Sequence, residues 1–248
     1  MENILITQGR TIDCTQNLDS VMDIFISNGK ITKLEPKISN FPENTTIISA
    51  KNMIVSPGFI DMHCHLREPG YTKKETIYSA TKSAAKGGFT TICAMPNTKP
   101  TMDNKSTIEL VLEKAKTNGL IRVLPIAAAT KKRAGNELTN MHELSKLGVI
   151  GFSDDGDPIE SPNMMRQALS YSLSTNLPII NHCEVKELSS NGVMNEGFTS
   201  MLLGLTGIPN SSEDSMVARD ISLAETTGGK LHIAHASTSG TMELIKLA

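Results

Sequence analysis

No stretch of the 248-residue sequence comes near the ~20 consecutive apolar residues that a bilayer-spanning helix needs. The first residues, MENILITQGRTIDC, lack the basic start and the continuous apolar run of a secretory signal. Both absences point to a protein of the cytoplasm. An excess of one charge is missing too: 24 Lys and Arg stand against 26 Asp and Glu, for a formal net charge of -2. With the charges spread along the chain, there is no broad basic surface for nucleic acid or anionic lipid, and a small molecule is the expected partner. Cysteine is scarce. Cys14, Cys64, Cys93 and Cys183 lie far apart, without a CxxC pair and within otherwise apolar runs. That spacing argues against a disulfide framework and for reduced thiols in the core. No low-complexity linker divides the chain.

What is present, 39% hydrophobic and 20% charged residues, is enough to bury a substantial core in one large domain or two smaller ones. Residues 1–56 read as short strands: NILITQGRTID, MDIFISNGKITKLEP, TTIISA and MIVSPG, with Asn28-Gly29 marking a tight hairpin turn. This is a small all-β module. Over 57–248 the pattern changes to apolar runs alternating with helical stretches: GFIDMHCH, FTTICAMPN, IRVLPIAAAT, GVIGFSDDG, LPIINHCE and KLHIAHAST. Helix boundaries are signalled by a possible capping box at Thr72 and Glu75, by Ser161-Pro162, and by Gly87-Gly88, Asn118-Gly119 and Gly228-Gly229. Such βα alternation predicts an α/β fold with a parallel sheet, either doubly wound or closed into a (β/α)8 barrel; apolar periodicity does not choose between them.

His63 and His65 are separated by one residue, so in a strand they project from the same face about 7 Å apart and can reach one metal centre. An HxH pair alone is equally well an ordinary polar strand end. Its context adds Asp154 and Asp155 after GVIGFS, His182 after LPIIN and His235 after KLHIA, all at ends of apolar runs. In a parallel barrel these ends face one mouth, where barrel enzymes assemble their sites. Imidazole and carboxylate together suit Zn2+ with positions left for water. His142 falls in the helical stretch MHELSKLG and is expected to face solvent. His232 and His235 are three apart and point to opposite faces of a straight strand, so at most one ligates; His235, at the strand end, is the choice.

The stretch GFIDMHCHLREPGYTKKET followed by TTICAMPNTKP resembles dihydroorotases of the bacterial monofunctional type, members of the amidohydrolase superfamily; GFSDDG, NHCE, VARDISLAE and HIAHAST match as well. The resemblance runs from about Ile54 to the last residue. It implies a (β/α)8 TIM-like barrel, with about six of eight strands present, beside a small N-terminal β-sandwich module. It implies one or two zinc ions held by His63, His65, Asp155, His182 and His235, the aspartate standing where many amidohydrolases carry a carboxylated lysine. Choosing Asp155 over Asp154 rests on the alignment of the DDG element, the other aspartate lying behind it. His65, Arg67 and Asn97 correspond to substrate-binding positions, and a planar guanidinium suits a carboxylate through two hydrogen bonds. Without the surrounding motif, Arg67 would read as a surface ion pair and Pro96-Asn97 as a turn. Glu68, Pro69 and Gly70 are expected to shape the loop and to act in no chemical step.

The implied reaction is the reversible interconversion of N-carbamoyl-L-aspartate and (S)-dihydroorotate in pyrimidine biosynthesis, with water activated by zinc opening the ring amide. The family's acid/base aspartate belongs to strand eight. It is expected beyond residue 248, since the sequence ends after six strand candidates at TMELIKLA; the isolated chain is then expected to be an inactive, poorly soluble fragment with open strand edges. Two further readings stay open. One is another cyclic amidohydrolase, a hydantoinase, dihydropyrimidinase or allantoinase, which Arg67 and the strand-four aspartate disfavour. The other is a non-catalytic partner of aspartate carbamoyltransferase, which the full set of ligand positions disfavours. A homodimer is the other assembly the resemblance suggests.

Overall fold

The computed structural model describes residues 3–248, and the chain divides into two compact units, Met1–Phe59 and Ile60–Ala248. In the first unit, β1 (Asn3–Asp13), β2 (Leu18–Ser27), β3 (Lys30–Glu35), β4 (Thr45–Ser49) and β5 (Ile54–Val55) form one mixed sheet. β2 runs antiparallel to both β1 and β3, whereas β4 and β5 run parallel to β1. Asn28 (φ 52°) and Gly29 (φ 72°) supply the two left-handed residues of the turn between β2 and β3. Buried Asp23 accepts the backbone N–H groups of Gln8 (2.9 Å) and Ile38 (2.9 Å). The first of these bonds occupies the irregularity in β1 between Ile6 and Gly9, where ladder pairing is lost. A small core of Leu5, Phe25 and Ile38 completes the unit.

From Phe59 onward the chain alternates strands and helices: β6 (Phe59–Cys64), α1 (Ile77–Lys86), β7 (Phe89–Ala94), α2 (Lys105–Asn118), β8 (Arg122–Pro125), α3 (Met141–Ser145), β9 (Phe152–Ser153) and α4 (Pro162–Ser172). It continues through β10 (Ile179–Asn181), α5 (Lys186–Ser189), β11 (Met194–Asn195), α6 (Phe198–Leu203), β12 (Gly207–Ile208), α7 (Ser211–Thr227), β13 (Leu231–Ile233) and α8 (Ser239–Leu247). The six apolar runs singled out above are β6, β7, β8, β9, β10 and β13. They make two three-stranded sheets, ordered β6-β7-β8 and β9-β10-β13, with a parallel bridge between Ala127 and Phe152 joining the chain after β8 to β9. The described residues thus contain an arc of strands in sequence order and no closed ring.

The helices end where local chemistry ends them. Ser161 caps α4, accepting the Met164 N–H, with Pro162 in the first turn; Gly228, at φ 73°, stops α7. The capping box expected at Thr72 and Glu75 lies elsewhere: Thr76 caps α1, and its hydroxyl and that of Ser79 each accept the other residue's N–H. Residues 72–75 precede the residue that flanks the first helical turn, so the capping position falls to Thr76, whose hydroxyl accepts the Ser79 N–H. The cysteine expectation also needs correcting at one position. Cys93 and Cys183 are buried and Cys64 partly so, but Cys14 is exposed because it sits in a short 3-10 turn between β1 and β2, outside any packed face. All four are free thiols.

The core lies between sheet and helices, with Phe152, Ile77, Ile92, Ile108, Met141, Met165 and Ile179 in one cluster. No helix among the described residues is long and apolar enough to cross a membrane. Just beyond β6, the buried Glu68 carboxylate accepts the Ile77 N–H (2.9 Å) and pairs with Lys114, tying the loop to α1 and α2. Burial opposes ionisation of Glu68, but the bonds from Lys114 and Ile77 outweigh it and hold the carboxyl below its ordinary range. A depressed folded-state pKa gives stability that is present above the unfolded value near ~4.3 and is lost as pH falls through the folded value. Denaturant titrations should therefore show wild-type stability falling on acidification below pH ~4.3, with a shallower fall in Glu68→Gln. At neutral pH that variant should lose up to about 2 kcal/mol, since Lys114 keeps access to water.

Candidate metal centre

Histidines from three strand ends converge on one carboxylate at a fourth. His63 lies in β6 and His65 directly follows it, on the same face by strand alternation. Asp155, His182 and His235 come just after β9, β10 and β13. Asp155 is 2% exposed, and its Oδ1 lies 3.4 Å from His63 Nε2, 3.4 Å from His235 Nε2 and 3.6 Å from His182 Nδ1. Its Oδ2 lies 3.4 Å from His65 Nε2. His182 Nδ1 and His235 Nε2 are 3.0 Å apart. The donor atoms form two triads, His63-His65-Asp155 and Asp155-His182-His235, each with its atoms within 4.8 Å of one another. Around a tetrahedral ion with bonds near 2.0–2.1 Å, ligand atoms stand about 3.4 Å apart. The observed spacings and the N/O donor set therefore fit a divalent metal, with Asp155 common to both triads.

Neighbouring groups set which imidazole nitrogen faces inward. His65 Nδ1 lies 2.9 Å from the Asn97 side-chain oxygen, so Nδ1–H donates there and the Nε2 lone pair faces Asp155. His182 is reversed: Nε2–H donates to Glu184 at 3.0 Å, leaving Nδ1 toward the cluster. Burial works against the Asp155 charge, but bonds from His182, His235 and His63 outweigh it and hold the carboxyl far below the usual carboxylate range. The hydrogen bond to Asp155 raises His182, while burial lowers His65.

Asp154 and Asp155 diverge, as adjacent residues of extended chain must. Asp154, also buried, accepts the Thr130 N–H (2.9 Å) and the Thr130 hydroxyl, and burial raises its pKa. His235 has φ 33°, a left-handed conformation that a non-glycine residue adopts only when its surroundings impose it. The loop after it is held by Glu213, which accepts the N–H groups of Ser237 (2.9 Å) and Thr238 (3.1 Å). His232, within β13, stands outside both triads, and His142 is exposed on α3. Beneath β10, Asn181 donates to buried Asp220 (2.6 Å), whose other oxygen accepts from Arg219 (2.8 Å).

Arg67 and Asn97 line a cavity of about 260 Å³ together with Tyr71, Lys74, Arg133 and Gly156. No carboxylate is among these six, so the cavity suits an anion. The sequence reading assigned no role to Glu184, Arg219, Asp220 or Arg133. Glu184 was open to recognition, two residues past His182 in NHCE; nothing in TKKRAGN marks Arg133.

A family model described as "Dihydro-orotase-like" matches residues 52–241. Among curated proteins, the dihydroorotase of Endomicrobium trichonymphae is 51% identical over 240 residues, covering 96% of this chain and 56% of that protein. The dihydroorotase of Syntrophus aciditrophicus is 48% identical over 243 residues, 98% of this chain and 57% of that one. The chain thus spans just over half the length of these relatives. Among solved structures, L-hydantoinase from Arthrobacter aurescens superposes with TM-score 0.78 at 19% identity, covering 100% of this chain and 56% of that one. D-hydantoinase from Thermus sp. gives 0.75 at 24%, covering 98% and 54%. These last two establish the α/β amidohydrolase fold alone.

Asp155→Ala should lower divalent-metal affinity by more than about 100-fold, read as metal content after dialysis against zinc or cobalt. Asp154→Ala should retain the metal but unfold about 1–3 kcal/mol more easily in denaturant, because the Thr130 donors are left buried without an acceptor.

Proposed function

The chain belongs to the dihydroorotase-like family, and on that footing we propose that it serves as a cyclic amide hydrolase in the reversible interconversion of N-carbamoyl-L-aspartate and (S)-dihydroorotate. The observation that carries this reading is the contact between the two halves of the site. The His65 ring that faces Asp155 is bonded to Asn97, and Asn97 lines the cationic cavity with Arg67. A reacting amide and a carboxylate on one small ring would be held side by side by such an arrangement.

In the hydrolytic direction the ring C–N bond breaks, water delivers its oxygen to the carbonyl carbon, and a proton goes to nitrogen. His63, His65, Asp155, His182 and His235 would hold zinc, one ion or two, Asp155 being common to both triads. Bound zinc supplies a Lewis acid that polarises a carbonyl oxygen and acidifies a water. Arg67 binds the substrate carboxylate through paired N–H groups. Asn97 places its amide beside that carboxylate while its oxygen fixes the His65 ring. Asp155, held ionised, accepts a proton poorly and acts chiefly through its charge and position.

The same reading takes the arc of strands as part of a (β/α)8 barrel and the first unit's sheet as part of a β sandwich, supported by the strand order and by the likeness to hydantoinases. A cytoplasmic location follows the family, as does assembly as a homodimer or with aspartate carbamoyltransferase. The carboxylate-binding cavity sets this reading apart from a hydantoinase, since hydantoin rings carry no such group. Titration calorimetry on the zinc-loaded protein should show tighter binding of dihydroorotate than of dihydrouracil, the ring lacking the carboxylate. Arg67→Met should weaken dihydroorotate about 10- to 100-fold and leave dihydrouracil unchanged. Equal affinity of the wild type for the two rings would sink the proposal.

A further inference from the structure

Arg133 lines the cationic cavity and also touches the strand end that carries Asp155. It closes the short 3-10 turn Lys131–Arg133, where Lys132 (φ 56°) and Arg133 (φ 57°) are both left-handed. Consecutive non-glycine residues seldom adopt that conformation, and it persists only where contacts over-determine it. Those contacts are present. Arg133 N–H donates to the Thr130 carbonyl (3.0 Å), Lys132 N–H to Asp103 (2.8 Å) and Gly135 N–H to the Thr130 hydroxyl (2.9 Å). Thr130 is itself bonded to Asp154, so the turn is fastened to the Asp154-Asp155-Gly156 loop.

The guanidinium is only partly engaged. Nη1 donates to the Asp155 carbonyl at 2.5 Å, and Nη2 lies 3.2 Å from the Asp157 carboxylate. Asp157 is divided, since Lys186 also binds it at 2.8 Å. Nε is buried and has no hydrogen-bond partner. A buried N–H on a charged group without an acceptor is unfavourable, so the guanidinium is held in this position by its other contacts. A Cβ built on Gly156, which has φ +87°, would stand 3.3 Å from Arg133 Nη1 and 3.4 Å from Asn97 Nδ2. Both donors therefore close on the same space beside Gly156, with Arg67 and Lys74 on the cavity wall.

We infer that Arg133 is a specificity-determining residue: a second guanidinium that joins Arg67 and Asn97 in recognising the carboxylate of an acidic cyclic amide. The inference rests on the function proposed above and adds a residue to it. One carboxylate offers about four lone-pair sites, enough for the paired N–H groups of Arg67, one N–H of Arg133 and one of the Asn97 amide. A neutral ring would gain nothing from Arg133.

The test compares zinc-loaded wild type with Arg133→Met, Arg133→Lys and Arg67→Met, titrating each with (S)-dihydroorotate and with dihydrouracil. Zinc content and thermal melting of each variant are measured in parallel. Arg133→Met should weaken dihydroorotate at least ~10-fold, the usual effect of losing a charge-assisted hydrogen bond. Arg133→Lys should fall between, dihydrouracil should bind as before, and zinc content should hold. If Arg67→Met weakens dihydroorotate and Arg133→Met does not, the inference is overturned while the proposed function stands. If Arg133→Met weakens both rings alike or loses zinc, Arg133 merely holds the loop and the inference is again overturned. A wild type with no preference for dihydroorotate removes the functional reading, and this inference with it.

Discussion

The candidate centre depends on keeping one buried carboxylate ionised. Taking Asp155 out of water is expensive, and a carboxylate left alone there would take up a proton. His63, His182 and His235, from three different strand ends, prevent this by lying 3.4–3.6 Å from its Oδ1. The dependence is mutual, because Asp155 is the one group that faces all four rings, while Asn97 and Glu184 each hold a single ring from outside. The remaining architecture can be read as what brings those strand ends together. The ladder pairs Ile179 with both Phe152 and Leu231, which sets β9, β10 and β13 at one level.

Around the candidate ligands lies a layer of groups whose effect is orientation. Asn97 and Glu184 each take one imidazole N–H, and so decide which nitrogen of His65 and His182 looks inward. Glu213 holds the loop after His235, which gives the left-handed backbone at that residue its support. Asp220, fully buried between Asn181 and Arg219, secures the strand just ahead of His182, and Arg219 reaches on to the carbonyls of Ile159 and Glu160. These contacts join elements far apart in sequence, so the centre is pre-organised by packing.

How much of this could be read from the sequence depends on the range of the signal. The strand runs and most helix ends were legible because their causes are local: apolar periodicity, Ser161-Pro162, Gly228. The His63 and His65 pair was legible because a period of two places both on one face. The separate fates of Asp154 and Asp155 followed from the same alternation, although which one turned inward did not. Arg133 was illegible, since its importance comes from a turn that folds back on a loop about twenty residues later. The α1 cap was misplaced because Thr72-x-x-Glu75 matches the usual Thr-x-x-Glu pattern whereas Thr76 carries Ser79 at its third position, and only the path of the loop puts the helix start at Thr76. Cys14 was misjudged because its apolar neighbours belong to a strand that ends one residue before it.

The level alignment of β9, β10 and β13 has a consequence for which changes in chain length the protein can absorb. Side chains on a strand alternate with a period of two, so a one-residue deletion inside Ile179–His182 would carry the His182 ring to the opposite face and break the ladder on both sides at once. A residue added to the exposed end of α2 or α7 alters no strand height. Insertions and deletions among natural variants of this chain should therefore concentrate in helix ends and loops and avoid the short strands almost entirely, leaving the strands fixed in length even where their apolar side chains are exchanged.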